Sequence, residues 1–174
     1  MTLHEARQYL QYRWAAKGRH GTHSPFVYAF VEDMLLHTHD EDMLMKNMRQ
    51  YFRFKNLSEY TLTPPAQPTV VFTKVHETSD SGRLQKTSGL SFNRLCILNG
   101  SPAPGSKLLQ HYMADMQPND VLLIKPLHKT PPHTQQWNEL KDDPRVKLSI
   151  DLFSMGLLFF RDEFKEKQHF VLKY

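Results

Sequence analysis

Apolar residues at the start of the chain recur at steps of three and four. Leu3, Ala6, Tyr9, Leu10, Arg13 and Trp14 put one stripe on a helix from about Thr2 to Ala16. A stripe of this kind ordinarily faces a core. Gly18 and Gly21 then break the helix. Ser24-Pro25 reads as an N-cap followed by proline at the first helical position, where a missing N–H is no loss. Phe26, Phe30, Val31, Met34 and Leu35 give that second helix its buried side. Asp40 caps a third, predicted to run to about Leu57 with Met43, Leu44, Met48, Tyr51 and Phe52 inward.

The pattern changes at Thr61. Thr63-Pro64-Pro65-Ala66-Gln67-Pro68 reads as a stiff, extended connector. Thr69 to Val75 is β-branched and reads as a strand, and Glu77 to Asn93, rich in Ser, Thr and Gly, as a long loop. Two continuous apolar runs follow, Leu95–Leu98 and Asp120–Ile124, each the mark of a strand buried on both faces. Helices are predicted at Lys107–Met116 and at Pro131–Lys141, the latter with Trp137 and Leu140 inward. Val146–Leu152, Gly156–Phe160 and Gln168–Tyr174 read as strands. Strand–helix–strand–helix–strand predicts a parallel sheet. The last strands, joined by short turns, are expected to be antiparallel. The sheet should hold about five or six strands, in an α/β unit over 61–174 preceded by a helical segment over 1–60.

The chain has 174 residues, 40% hydrophobic and 23% charged, so it can bury a core. The net charge of +4 is mild, and the densest basic cluster, Lys17-Gly18-Arg19-His20, has no aromatic interleaved for stacking. No nucleic-acid partner is expected. No apolar run approaches the roughly 18–20 residues of a membrane span, so no membrane partner is expected. Met1–Glu5 has no basic stretch leading into an apolar one, so no signal peptide is expected. The single cysteine, Cys96, lies in an apolar run and reads as a buried, inert thiol. These features point to the cytoplasm.

Ten histidines raise a metal site, but zinc needs three or four converging ligands. His20 and His23, or His37 and His39, make only pairs, and no metal is expected. There is no Gly-x-Ser-x-Gly motif, and Cys96 has no evident activating partner. His128, just past a strand end, is the candidate general base, against the plainer reading of a hydrogen-bonded histidine. Asn99-Gly100, with Ser101-Pro-Ala-Pro-Gly105, forms either an ordinary strand–helix loop or a helix N-terminus that attracts anions. Phe153, Met155, Phe159 and Phe160 read as core or as a pocket lining.

Asp120-Val-Leu-Leu-Ile-Lys-Pro-Leu-His128, Trp137-Asn-Glu-Leu-Lys-Asp-Asp-Pro-Arg-Val146, Ser149-Ile-Asp-Leu-Phe-Ser-Met-Gly-Leu-Leu-Phe-Phe-Arg161 and His169-Phe-Val-Leu-Lys-Tyr174 follow one another in order. They resemble the C-terminal end of a class I S-adenosylmethionine (SAM)-dependent methyltransferase family common in Bacteroidetes. Lys17-Gly-Arg-His-Gly-Thr-His-Ser-Pro-Phe-Val-Tyr28 resembles the start of the same family. The resemblance implies a partial Rossmann-like methyltransferase sheet, mostly parallel, with a C-terminal antiparallel hairpin. It also implies what is missing. None of the seven glycines, Gly18, Gly21, Gly82, Gly89, Gly100, Gly105 and Gly156, forms a Gly-x-Gly pair. Such pairs let a backbone approach SAM closely. A βαβ unit takes about 30 residues, and Tyr60 to Asn93 can hold one strand and little else.

The cofactor positions implied are Asn99 and Gly100, where the family has Asp-Gly, and Lys125, where it has the first of two aspartates. His128 matches a family histidine. A lysine near a sulfonium is repulsive, and losing a charged hydrogen bond costs about 1.5–3 kcal/mol. The expectation is a shortened, non-catalytic relative acting by binding or assembly, with SAM as cofactor or none. The alternative is an active SAM-dependent methyltransferase with a remodelled or subunit-shared site. Thr69–Val75 is expected to pair beside Leu95–Leu98. Failing that, the open edge predicts a homodimer.

Overall fold

The computed structural model describes residues 1–18, 23–61, 69–74, 92–100 and 112–173. Thr2 starts α1 (Leu3–Ala15) with a capping box: its hydroxyl accepts the Glu5 N–H while the Glu5 carboxylate accepts the Thr2 N–H. α2 (Pro25–Asp33) carries proline in its first turn, and a short 3₁₀ turn (Leu35–His37) leads on from it. Asp40 Oδ1 accepts the Met43 N–H at 2.7 Å and opens α3 (Glu41–Phe52). Arg53, in the left-handed region at φ 50°, closes it.

α3 therefore ends short of Leu57, and the chain re-enters at once as β1 (Asn56–Thr61). β2 (Thr69–Lys74), β3 (Arg94–Asn99), β4 (Asp120–Lys125), α4 (Pro131–Asp142), β5 (Leu148–Asp151), β6 (Gly156–Phe159) and β7 (Gln168–Val171) complete the described elements. Residues 112–115 are also helical, in agreement with the end of the helix expected over 107–116; its earlier part lies outside the described residues. So do the connector at 63–68, most of the loop expected at 77–93, the turn at 101–105 and His20.

Seven strands form one sheet in the order β2-β1-β3-β4-β6-β5-β7. β1, β3 and β4 are parallel neighbours in a common register, Tyr60 beside Leu98 and Leu98 beside Ile124. β6 is inserted antiparallel between β4 and β5, which forms the expected C-terminal hairpin. β7 then lies parallel to β5 on its far side, unlike the all-antiparallel ending expected, because the chain crosses β5 before pairing. The result is the α/β, partial Rossmann-like sheet anticipated, larger by the strand that the helical reading of Asn56–Leu57 concealed.

The strand at 69–74 does not pair with β3. β1 occupies that place, and β2 pairs antiparallel with β1 as the outer edge. The open β3 edge on which the homodimer expectation rested is thus closed from within the chain. β1 wins the position because a parallel strand between two neighbours satisfies its backbone on both sides, whatever its modest apolar content.

Alternation along the strands splits the core. Leu95, Ile97, Val121, Leu123, Ile150, Leu157 and Phe159 pack toward Phe30, Met48 and Phe52 of α2 and α3. Cys96, Leu98, Leu122, Ile124 and Leu158 pack toward Tyr112, Trp137 and Leu140 on the other face. Gly156 is needed here, since a Cβ at that position would come within 2.6 Å of the Trp137 ring. α1 contributes to neither cluster. Its buried residue is Tyr12, whose hydroxyl donates to the Leu172 carbonyl at 2.6 Å. Leu3, Leu10 and Trp14 of the expected inward stripe are instead 91%, 64% and 95% exposed. α1 is held by its polar and aromatic side, so its aliphatic side is left to face outward.

Candidate functional site

The C-terminal ends of β3 and β4 open onto a cavity of about 410 Å³. Ligand sites in α/β sheets fall at this edge. Asn99 and Gly100 line it from β3, Lys125 from β4 and His128 from the turn that follows. The structure thus brings all four sequence-derived positions to one wall. Phe153, from the β5–β6 turn, the carboxylate-bearing Glu5 of α1 and Glu41 of α3, and Lys129 also line it.

His128 is buried and doubly partnered. Its Nε2 lies 2.8 Å from Asp151 Oδ2, and its Nδ1 lies 3.2 Å from Thr134 Oγ1. An ionised carboxylate only accepts, which assigns the Nε2 proton to the bond with Asp151. In the neutral ring Nδ1 then accepts from the Thr134 hydroxyl, and that hydroxyl lies 3.0 Å from His4 Nε2 on α1. The other oxygen of Asp151 accepts the Phe153 N–H at 2.8 Å. Phe153 itself sits at φ 67°, a region phenylalanine rarely adopts. Its ring meets Tyr9 at 5.1 Å and His128 at 5.7 Å between centroids. Asp151 thus holds both the imidazole and the turn that presents Phe153.

The three positions expected to meet a cofactor have partners within the chain. The Gly100 N–H, at φ 96°, donates to the Lys125 carbonyl at 2.9 Å. The Asn99 amide donates to Glu59 of β1. Lys125 Nζ lies 2.6 Å from Glu41 Oε1, both side chains partly exposed, so the pair contributes little to stability but occupies the ammonium.

Several other sequence candidates resolve as structure. Burial pushes the Cys96 thiol up to about 12, as suits an inert core cysteine. Met155, Phe159 and Phe160 are buried core residues, and of the four residues weighed as pocket lining only Phe153 reaches the cavity. Among the described residues no cluster of three or more His, Cys, Asp or Glu side chains could hold a metal. None of their helices is long and apolar enough to cross a membrane.

Sequence reasoning missed Asp151, Thr134, His4, Glu41 and Glu59. Asp151 left a trace, an acid on the otherwise apolar-alternating strand 148–151. The others left none: Glu59, Glu41 and His4 meet partners 40, 84 and 130 residues away, and Thr134, six residues from His128, reads as one more polar position of α4. No family model, curated protein or solved structure matches the chain.

Proposed function

We propose that this chain is a shortened, non-catalytic relative of the class I SAM-dependent methyltransferases found in Bacteroidetes, a cytoplasmic protein that acts by binding at the cavity beside Lys125 and His128. The single observation that carries the reading is the commitment of Asn99, Gly100 and Lys125 to partners inside the chain. A cofactor contacting the sheet there would have to displace the Gly100–Lys125 backbone bond and face a lysine ammonium. After β1 the sequence runs Leu62-Thr63-Pro64-Pro65, with no glycine to let the backbone approach a nucleoside. The residues present do not fit SAM in the family's usual manner. The antiparallel β6 between β4 and β5 supports the kinship, since the resemblance implies a hairpin there.

One observation favours the alternative, an active methyltransferase with a remodelled or subunit-shared site. The buried Asp151–His128 pair is the arrangement that orients an imidazole for proton transfer. Against it, both ring nitrogens are already engaged. Thermal unfolding with S-adenosylhomocysteine separates the two. A ligand at 100 times its dissociation constant stabilises a fold by about 2.7 kcal/mol. The expected result is no change in midpoint at millimolar ligand, and a clear rise would overturn the non-catalytic reading.

A further inference from the structure

α1 is a folded helix that turns its aliphatic residues toward solvent. At 3.6 residues per turn, Leu3, Arg7, Leu10 and Trp14 fall in a sector of roughly 60°, on the side opposite Tyr12. Arg13 flanks the sector, and Lys17 follows the end of the helix; Arg7, Arg13 and Lys17 are all exposed. No salt bridge among the described residues ties these three cations to an acid. The one acid on α1, Glu5, belongs to the cavity side. The outward side of the helix is therefore an apolar ridge of Leu3, Leu10 and Trp14 with Arg7 within it, Arg13 on one flank, neutral Gln11 on the other, and no acid.

We propose that this ridge docks the protein on an anionic lipid surface, a peripheral membrane partner in contrast to the expectation of none, which rested only on the lack of a spanning run. Leucine and tryptophan on a convex, arginine-bordered helix suit the boundary between headgroups and acyl chains, with the cations at the level of the phosphates. A second copy of the chain fits less well, because pairing two such ridges would set arginine against arginine. The helix lies on the surface rather than crossing it, since 13 residues reach about 20 Å against a hydrocarbon core of about 30 Å. It is also formed beforehand: the capping box and the Tyr12–Leu172 bond fix it on the body, so adsorption orders little new backbone. The inference stands apart from the methyltransferase reading and survives its failure.

The test uses the full chain and vesicles of phosphatidylcholine with or without phosphatidylglycerol. The chain has two tryptophans; Trp137 is buried, so a change in emission on adding lipid reports Trp14. The expected result is co-sedimentation with the anionic vesicles at low salt, with a blue shift, and neither with phosphatidylcholine alone. Trp14→Ala should weaken partitioning about tenfold or more. Arg7→Gln and Arg13→Gln should each weaken it about fivefold, and raising the salt should do the same. These exposed positions should leave the circular dichroism unchanged. Absence of vesicle binding, equal binding to neutral vesicles, or full binding by Trp14→Ala would each overturn the proposal. A concentration-dependent dimer abolished by Trp14→Ala would reassign the ridge to a second copy and overturn it too.

Discussion

α3 and α1 are helices of nearly equal length, 12 and 13 residues, each with an apolar stripe and a side-chain N-cap. α3 turns Leu44, Met48, Tyr51 and Phe52 into the core, whereas α1 turns Leu3, Leu10 and Trp14 into solvent. Periodicity tells which residues share a face but not what that face meets. In α3 a left-handed Arg53 ends the helix just before β1, and its apolar residues join the core cluster with Leu57, Leu95 and Phe159. α1 has no strand following it directly. It is tied down through Tyr12, through ring contacts of Tyr9 and Tyr12 with Phe153, and through a bridge from Lys17 to Leu172.

Substitutions along the two helices should separate them sharply. Phe52 is fully buried and packs its ring against Phe26, Phe30, Phe92 and Phe159 at centroid distances of 5.0 to 6.1 Å. Phe52→Ala should destabilise the protein by about 3–5 kcal/mol in urea unfolding. Caps come next. Asp40→Ala should lower global stability by about 1 kcal/mol, whereas Thr2→Ala should show mainly as faster amide exchange within α1 and a smaller shift in the midpoint. Smallest of all, Leu10→Ala should stay within about 0.5 kcal/mol of the parent. A loss for Leu10→Ala as large as that for Phe52→Ala would mean that the outer face of α1 is covered in solution, and the contrast between the helices would collapse.

The same divide governs what the sequence could reveal. β3 and β4 were legible because unbroken apolar runs have few other uses in a chain of this size. β1 was not, because Asn56-Leu-Ser-Glu-Tyr-Thr61 offers only Leu57 and Tyr60 as apolar residues and follows a helical stripe without a glycine or proline to mark the break. It is a strand because β3 supplies a parallel partner in register, a tertiary fact that no local window contains. At the site, Asn99, Gly100, Lys125 and His128 were legible as residues at or just past strand ends, and parallel strands deliver such residues to one edge. What those side chains bond to was invisible. The Lys125–Glu41 pair spans 84 residues and the His4–Thr134 bond 130, so the difference between a free ammonium and an occupied one appears only on folding.

The fastening of α1 to Leu172 has a consequence for the order of assembly. The carbonyl that receives the Tyr12 hydroxyl lies 160 residues downstream. At ribosomal speeds of about 5–20 residues per second, α1 emerges on the order of ten to thirty seconds before its mooring is made. Throughout that interval α1 lacks this fastening, so its docking is complete only once Leu172 has been made.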